Sequence, residues 1–427
     1  MKQARRKFLK TLGAFSGALF APPLLLPAQS QPLFPEFYQE VPPEKLARDE
    51  DFWALVREAF NSSPNLINLN SGGVSPQPEE VQEAVTAYTR HANEAPAYYM
   101  WRTMGRQRNN MLRKLAELAG VSAEEIAIQR NTTEAINVIL QGIDWQVGDE
   151  VVTSEQDYPA MLHALKQLEA RKGIRVKQVK LPVPAPDQAS LIQPFVEAIG
   201  KQTRLVLVCH VINLSGQIMP VREIAQYAHQ QGAEVLVDGA HSFAHLDFRI
   251  PDLGVDYFAS SLHKWLYAPF GTGMLYVKKE KIAGIWPLFA APDQQENDIR
   301  KFEHQGTRSV PVENAISHAV DFHHRLGAAR KQARLQYLKQ YWVEQAREIP
   351  GLQLLTNPAP EHSCAIANFA IEGKDMVALG NRLISKHNLY TTTTRHPAIR
   401  GIRISPNVFT APRELDYLVK VLKQEAG

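Results

Sequence analysis

From about residue 105 the chain alternates helical apolar periodicity with short, unbroken apolar runs. Spacing suited to one helical face runs through Met111–Leu118 and Asn131–Leu140, and again near Ala160–Arg171 and Val221–Gln231. Between them, Glu125–Ile128, Glu150–Thr153, Leu205–His210, Glu234–Val237, Tyr257–Ser260 and Gly273–Val277 read as strands. Apolar strands separated by helices predict a mainly parallel sheet in a large domain, covered by helices on both faces. Ligands of such sheets bind at the carboxyl ends of the strands. Chemistry is therefore sought just after each strand.

The two ends of the chain differ from this middle. The proline- and acid-rich stretch Gln31–Glu50 reads as a surface lead-in to a first helix near Phe52–Phe60. From Pro311 the pattern becomes one long helix, with Val312, Ala315, Ile316, Ala319, Val320 and Phe322 as its apolar positions. Past Gly351, apolar runs near Leu354-Leu355 and Ala365–Ile371 and helices at Met376–His387 and Pro412–Gln424 predict a smaller α+β C-terminal domain. The expected organisation is a signal over 1–30, an N-terminal segment over 31–65, a large domain over 66–310 and a small domain over 311–427.

Composition narrows the class. With 427 residues, 44% hydrophobic and 21% charged, the chain has the make-up of a globular protein of two or three domains. A net charge of +3, spread among acids, gives no electrostatic ground for a nucleic-acid partner. The start is different in kind. Met1–Lys10 is basic, Thr11–Leu26 is apolar, and Pro27-Ala28-Gln29-Ser30 follows with small residues, which together read as an export signal. Paired Arg5 and Arg6 before Phe8-Leu9-Lys10 resemble the twin-arginine type. The twin-arginine translocase is then an expected partner, and the periplasm or exterior the expected location. Two cysteines are too few for a disulfide framework, and Cys209 and Cys364 both sit in apolar runs as small hydrophobes.

Three segments carry candidate chemistry. The strand Glu234–Val237 ends in Asp238-Gly239-Ala240-His241. Taken alone, Asp238 is better explained as a cap for the next helix. The next strand runs into Ser261-Leu262-His263-Lys264, which sets a lysine at the mouth of a buried strand, with Gly271 and Gly273 allowing close backbone approach. Earlier, Arg130-Asn131-Thr132-Thr133-Glu134 leads from a strand into a helix. Asn131 can cap it, Glu134 can add a box-like return bond, and the free N–H groups suit a phosphate dianion. A lysine for an aldehyde, an acid for a pyridine nitrogen and an anion cradle are what pyridoxal 5′-phosphate (PLP) asks of a protein.

The order of these segments resembles the class V aminotransferase-fold enzymes, which include isopenicillin N epimerase-like proteins, cysteine desulfurases and kynureninases. The likeness runs from about Asn68 to Val421. It implies the PLP-dependent transferase fold type I, with Lys264 carrying the cofactor and Asp238 on its pyridine nitrogen. It further implies Thr132 and Thr133 at the phosphate, Tyr158 stacked on the ring, Asn213 near the 3′-oxygen, and His241, Ser261 and His263 around the cofactor. Thr307 in Gly306-Thr307 resembles the residue that reaches the phosphate from a second subunit, which implies a homodimer. Arg403 matches the family's carboxylate-binding arginine, and Gly72 and Gly73 its small-residue segment near the substrate.

One departure bears on activity. Where desulfurases of the family carry a mobile cysteine, this chain has Tyr390-Thr391-Thr392-Thr393-Thr394-Arg395-His396-Pro397. Desulfuration is therefore not expected. The expectation is an exported enzyme acting at the α-carbon of an amino acid or peptide-borne amino substrate. Transamination is favoured, and epimerisation and C–S or other β-elimination are the alternatives. An exported binding protein that kept the fold without the catalysis is a more distant reading.

Overall fold

The computed structural model describes Phe34, Tyr38 and residues 40–292 and 296–427. The proposed signal, residues 1–30, lies outside the described residues. The strands are β1 (Ile67–Asn68), β2 (Ile126–Gln129), β3 (Glu150–Ser154), β4 (Arg175–Val179), β5 (Thr203–Cys209), β6 (Glu234–Asp238) and β7 (Tyr257–Ser261). They continue with β8 (Gly273–Val277), β9 (Leu352–Leu354), β10 (Ala367–Ile371), β11 (Leu389–Tyr390), β12 (Thr392–His396) and β13 (Ile399–Ile404).

The large sheet has the order β2-β8-β7-β6-β5-β3-β4. Every neighbouring pair is parallel except the two made by β8, which runs antiparallel to β2 and to β7. This is the mainly parallel sheet read from the apolar runs. β3, β5, β7 and β8 are buried along nearly their whole length, because helices cover both faces. One face packs Val206, Val208, Val235, Val237 and Phe258 into one core, while Leu205, Leu207, Leu236 and Tyr257 pack into another. Chain order reverses between β5 and β3, which creates the switch point where a crevice opens beyond the strand ends.

The smaller sheet is antiparallel, in the order β12-β13-β10-β9, with its own core around Trp342, Phe369, Leu383 and Leu418. Its register places Arg403 between Asn368 on one side and Thr392 on the other. β1 joins β11 as a parallel pair, and Asn70 bridges to Ser405. Leu69 belongs to the same small-sheet core. The start of the described large-domain sequence is thus stitched to the end of the chain.

Several expectations change on contact with the structure. The long helix beyond Pro311 is three helices, Val310–Asn314, Ile316–Leu326 and Ala328–Ala346. Gly327 separates the last two with a positive φ of 86°, which a helix interior does not admit. The threonine run, compared above with a family loop, forms strand β12, consistent with the β-branched preference for pleated backbone. β4 was not read from the sequence, since Arg-Val-Lys-Gln-Val at the sheet edge is mostly polar. Helix Glu79–Glu94 was also missed. Tyr98, just before the short π-helical turn Tyr99–Thr103, and Trp101 within it are exposed.

Candidate active site

A cavity of about 440 Å³ opens at the carboxyl ends of the large sheet. Among its lining residues are Gly72, Gly73, Thr132, Thr133, Tyr158, Asn213, Asp238, His241, Ser261, His263, Lys264 and Arg403. Every site residue expected from the sequence is there except Thr307. Thr307 lines a separate depression with Phe270 and Phe289, both well exposed. Asn70 and Cys209, not singled out from sequence as site residues, also line the cavity, as does Thr392 of the threonine run. Cys209 was read as a buried small hydrophobe. It is buried, yet as the last residue of β5 it stands level with Asp238, its register partner on β6.

The strand ends set out the chemistry. Asp238 closes β6, is 4% exposed, and accepts the Ala240 N–H at 2.9 Å. Burial pushes its carboxyl above the usual range, while Lys264 pulls the other way. Burial also lowers the Lys264 amine to about 8, an effect that Asp238 opposes. Both groups are therefore held nearer their neutral forms than in water, for the same physical reason. A buried lysine whose amine is easily freed of its proton suits carbonyl capture.

At the opposite wall, Asn131 caps the helix Thr132–Gly142 by accepting the Glu134 N–H at 2.9 Å. The expected return bond goes one residue further upstream: the Glu134 carboxylate accepts from Arg130 N at 2.6 Å and pairs with the Arg130 guanidinium at 2.7 Å. Ser261 ties this helix start to the lysine loop, its Oγ accepting the Thr132 N–H at 3.0 Å and lying 2.8 Å from Thr132 Oγ1. The approach is close enough that a Cβ on Gly273 would meet the Asn131 backbone at 2.7–2.9 Å. His263 donates from Nδ1 to the Thr272 carbonyl at 3.0 Å, so its neutral ring carries a lone pair on Nε2. It can donate from that nitrogen to an anion only when protonated.

Arg403 is 5% exposed and donates to the Asn213 carbonyl at 2.8 Å and to Asn70 Oδ1 at 2.7 Å. Burial lowers its pKa to about 10, which leaves it charged at neutral pH. Both partners are neutral oxygens, so no carboxylate compensates the guanidinium through these bonds. Arg403 Nε and Asn213 Oδ1 are buried without a partner, polar capacity that a ligand can use. Gly72 leaves room here, since a Cβ on it would press on Ser405 Oγ at 3.2 Å and His241 Cε1 at 3.4 Å.

A lysine, a carboxylate, a helix N-terminus and an arginine bonded to neutral oxygens around one cavity, at the strand ends of a mainly parallel sheet, define a PLP-dependent enzyme of fold type I. The aminotransferase class-V family model matches residues 67–413, and the chain belongs to that family. Its cofactor is pyridoxal 5′-phosphate. The chain is 27% identical over 392 residues to isopenicillin N epimerase of Streptomyces clavuligerus, covering 88% of this chain and 98% of that protein. It is 26% identical over 388 residues to a probable cysteine desulfurase of Methanothermobacter thermautotrophicus, covering 84% of this chain and 95% of the relative. Among solved structures, the cystine C–S lyase C-DES in complex with cysteine persulfide superposes with a TM-score of 0.76 at 24% identity. That match covers 84% of this chain and 98% of the other.

The residues present fit the cofactor. The cavity offers an amine of lowered basicity, a buried acid, hydroxyls at a helix N-terminus and the half-exposed Tyr158 ring. The unpartnered Asn213 Oδ1 adds free polar capacity at the cavity wall.

Proposed function

We propose that this chain is an exported, homodimeric aminotransferase acting at the α-carbon of an amino acid or peptide-borne amino substrate. The observation that carries the reading is the meeting of Lys264, Asp238 and Arg403 around one cavity. PLP, when bound, supplies an electron sink for the bond broken at the substrate's α-carbon. Lys264 would hold the cofactor's aldehyde, and once the substrate's own amine has displaced it there, the freed Lys264 amine would take the α-proton as general base. Asp238 would accept the pyridinium N–H. Thr132 and Thr133, with His263 beside them, would hold the phosphate, while Ser261 fixes the helix start. Tyr158 would pack the ring face, and Asn213 and His241 would serve its oxygen. Arg403 grips the substrate carboxylate by two parallel bonds, and Gly72 and Gly73 leave space for the remainder.

Transamination is favoured because, among the described residues, Lys264 is the single amine lining the cavity, and one base suffices to shift a proton along one face. Epimerisation is the second reading, supported by 27% identity over nearly the whole isopenicillin N epimerase. Desulfuration is disfavoured. Cys209 donates to the Val211 carbonyl at 3.2 Å and its thiol is pushed well up by burial, and Cys364 is buried, so neither can swing to a substrate as a thiolate. The dimer is supported by the exposed Phe270 and Phe289 around Thr307. Export rests on the basic-apolar start of the sequence.

The test is to reduce the purified protein with borohydride, locate the adduct by mass spectrometry, and then supply α-deuterated amino acids with keto-acid acceptors. Adduct on Lys264 and stoichiometric amination of an acceptor are expected. Deuterium loss with an inverted α-carbon and no acceptor turnover would replace transamination by epimerisation, and release of ammonia with a keto acid would replace it by elimination. No adduct after adding PLP would sink the assignment.

A further inference from the structure

Trp265, the residue after Lys264, is held on three sides. Its carbonyl accepts a hydrogen bond from Lys331, a fully buried amine whose Nζ also lies 3.8 Å from the Tyr267 ring centroid. His245 stacks on its indole, with centroids 3.9 Å apart and planes 15° from parallel. Its Nε1–H meets His241 Nδ1 at 3.3 Å. His241 Nε2 in turn lies 3.4 Å from Lys264 Nζ.

What each partner can do fixes the direction of these bonds. An indole N–H only donates, so His241 Nδ1 must accept, and the proton of the neutral ring sits on Nε2. The ring stays neutral. Burial lowers its pKa well below the ordinary histidine value, and the groups acting on it, Lys264, Arg403 and His245, oppose a further positive charge. His245 reinforces the geometry from behind. Its Nε2 accepts the Ala365 N–H at 3.0 Å, so its Nδ1–H donates to the His241 carbonyl at 2.6 Å and holds that backbone in place.

Resting on the PLP reading above, we propose that Trp265 is a positioning residue that locks His241 as the Nε2–H tautomer. His241 then serves the Lys264 nitrogen and the cofactor only as a hydrogen-bond donor, never as a base. Two consequences follow from the chemistry. A donor aimed at Nζ stabilises the neutral amine, adding to what burial does. With His241 unable to accept a proton, Lys264 is left as the base on its side of the substrate.

The proposal is tested with Trp265→Phe, which keeps an aromatic face for His245 but has no N–H. Competitive acylation of Lys264 in cofactor-free protein, followed by mass spectrometry across pH, reads the amine directly. The variant is expected to raise its midpoint by about one pH unit. Histidine 15N NMR of the cofactor-free protein, with His241 assigned through His241→Asn, is expected to show Nε2 protonated in the wild type and mixed tautomers in the variant. In the loaded enzyme kcat should fall roughly five- to tenfold with KM little changed. A wild-type His241 protonated on Nδ1 overturns the proposal even if the variant does not fold. An unchanged acylation midpoint in a folded variant overturns it as well. Failure to bind PLP, with the wild-type tautomer as expected, would count against the cofactor reading and not against the lock.

Discussion

Lys264 and Arg403 are both cations pulled out of water, yet burial prepares them for different work. Lowering the lysine to about 8 makes its neutral form accessible near physiological pH, whereas the arginine at about 10 remains a cation throughout. Capture of PLP by cofactor-free protein should therefore speed up as pH rises from 6.5 and level off above about 8, measured by stopped-flow absorbance. Stability has the matching sign. The folded lysine binds its proton less tightly than the unfolded one, so this residue's destabilising effect is fully present below about 8. It is relieved as pH rises towards the ordinary lysine value of 10.5. Lys264→Ala should abolish turnover while far-UV circular dichroism stays unchanged. Arg403→Lys cannot make two parallel bonds, and kcat/KM for a carboxylate-bearing donor should drop roughly 10- to 100-fold. The loss should be much smaller for an amine without a carboxylate, and an equal loss for both would remove Arg403 from the substrate.

At the scale of elements, the site is a product of strand ends. β6 and β7 deliver Asp238 and Lys264 side by side because they are parallel neighbours, and the helix start at Thr132 reaches them only because β8 comes in tightly at Gly273. Gly273→Ala should force the Asn131 backbone away, costing about 1–3 kcal/mol in a denaturant melt. PLP affinity should fall with it, since the anion cradle moves. These large-sheet elements were legible in the sequence because strands buried on both faces leave unbroken apolar runs such as Leu205–Val208. Residues with a partly polar setting were harder to place. β12 carries threonines whose inward and outward positions look alike in composition, so its pairing with β13, which aligns Thr392 with Arg403, was visible only in three dimensions. Trp265 gave no signal beyond being apolar, for its role depends on where its N–H points.

On the scale of the whole molecule, the lysine, acid and arginine were legible because each closes or follows a recognisable motif. Thr307 shows the limit of that logic, since it belongs to the motif series but lies outside the cavity of its own chain. If it completes a neighbour's site, light scattering will report a dimer, and Thr307→Ala will weaken PLP binding severalfold without changing the mass of the assembly. A monomer that binds PLP with full affinity would end that reading. The stitching of Asn70–Gly72 to Ser405 and Arg403 has a consequence for birth of the protein. Gly72 and Ser405 are 333 residues apart in sequence. A ribosome moving at about 5–20 residues per second therefore leaves the earlier segment waiting on the order of tens of seconds for its partner. By the end of that interval the strands of the large sheet have long been made, whereas Arg403 is among the last residues to appear. The nascent chain can bring the strand ends next to Asp238 and Lys264 together well before Arg403 exists to close the cavity's other wall.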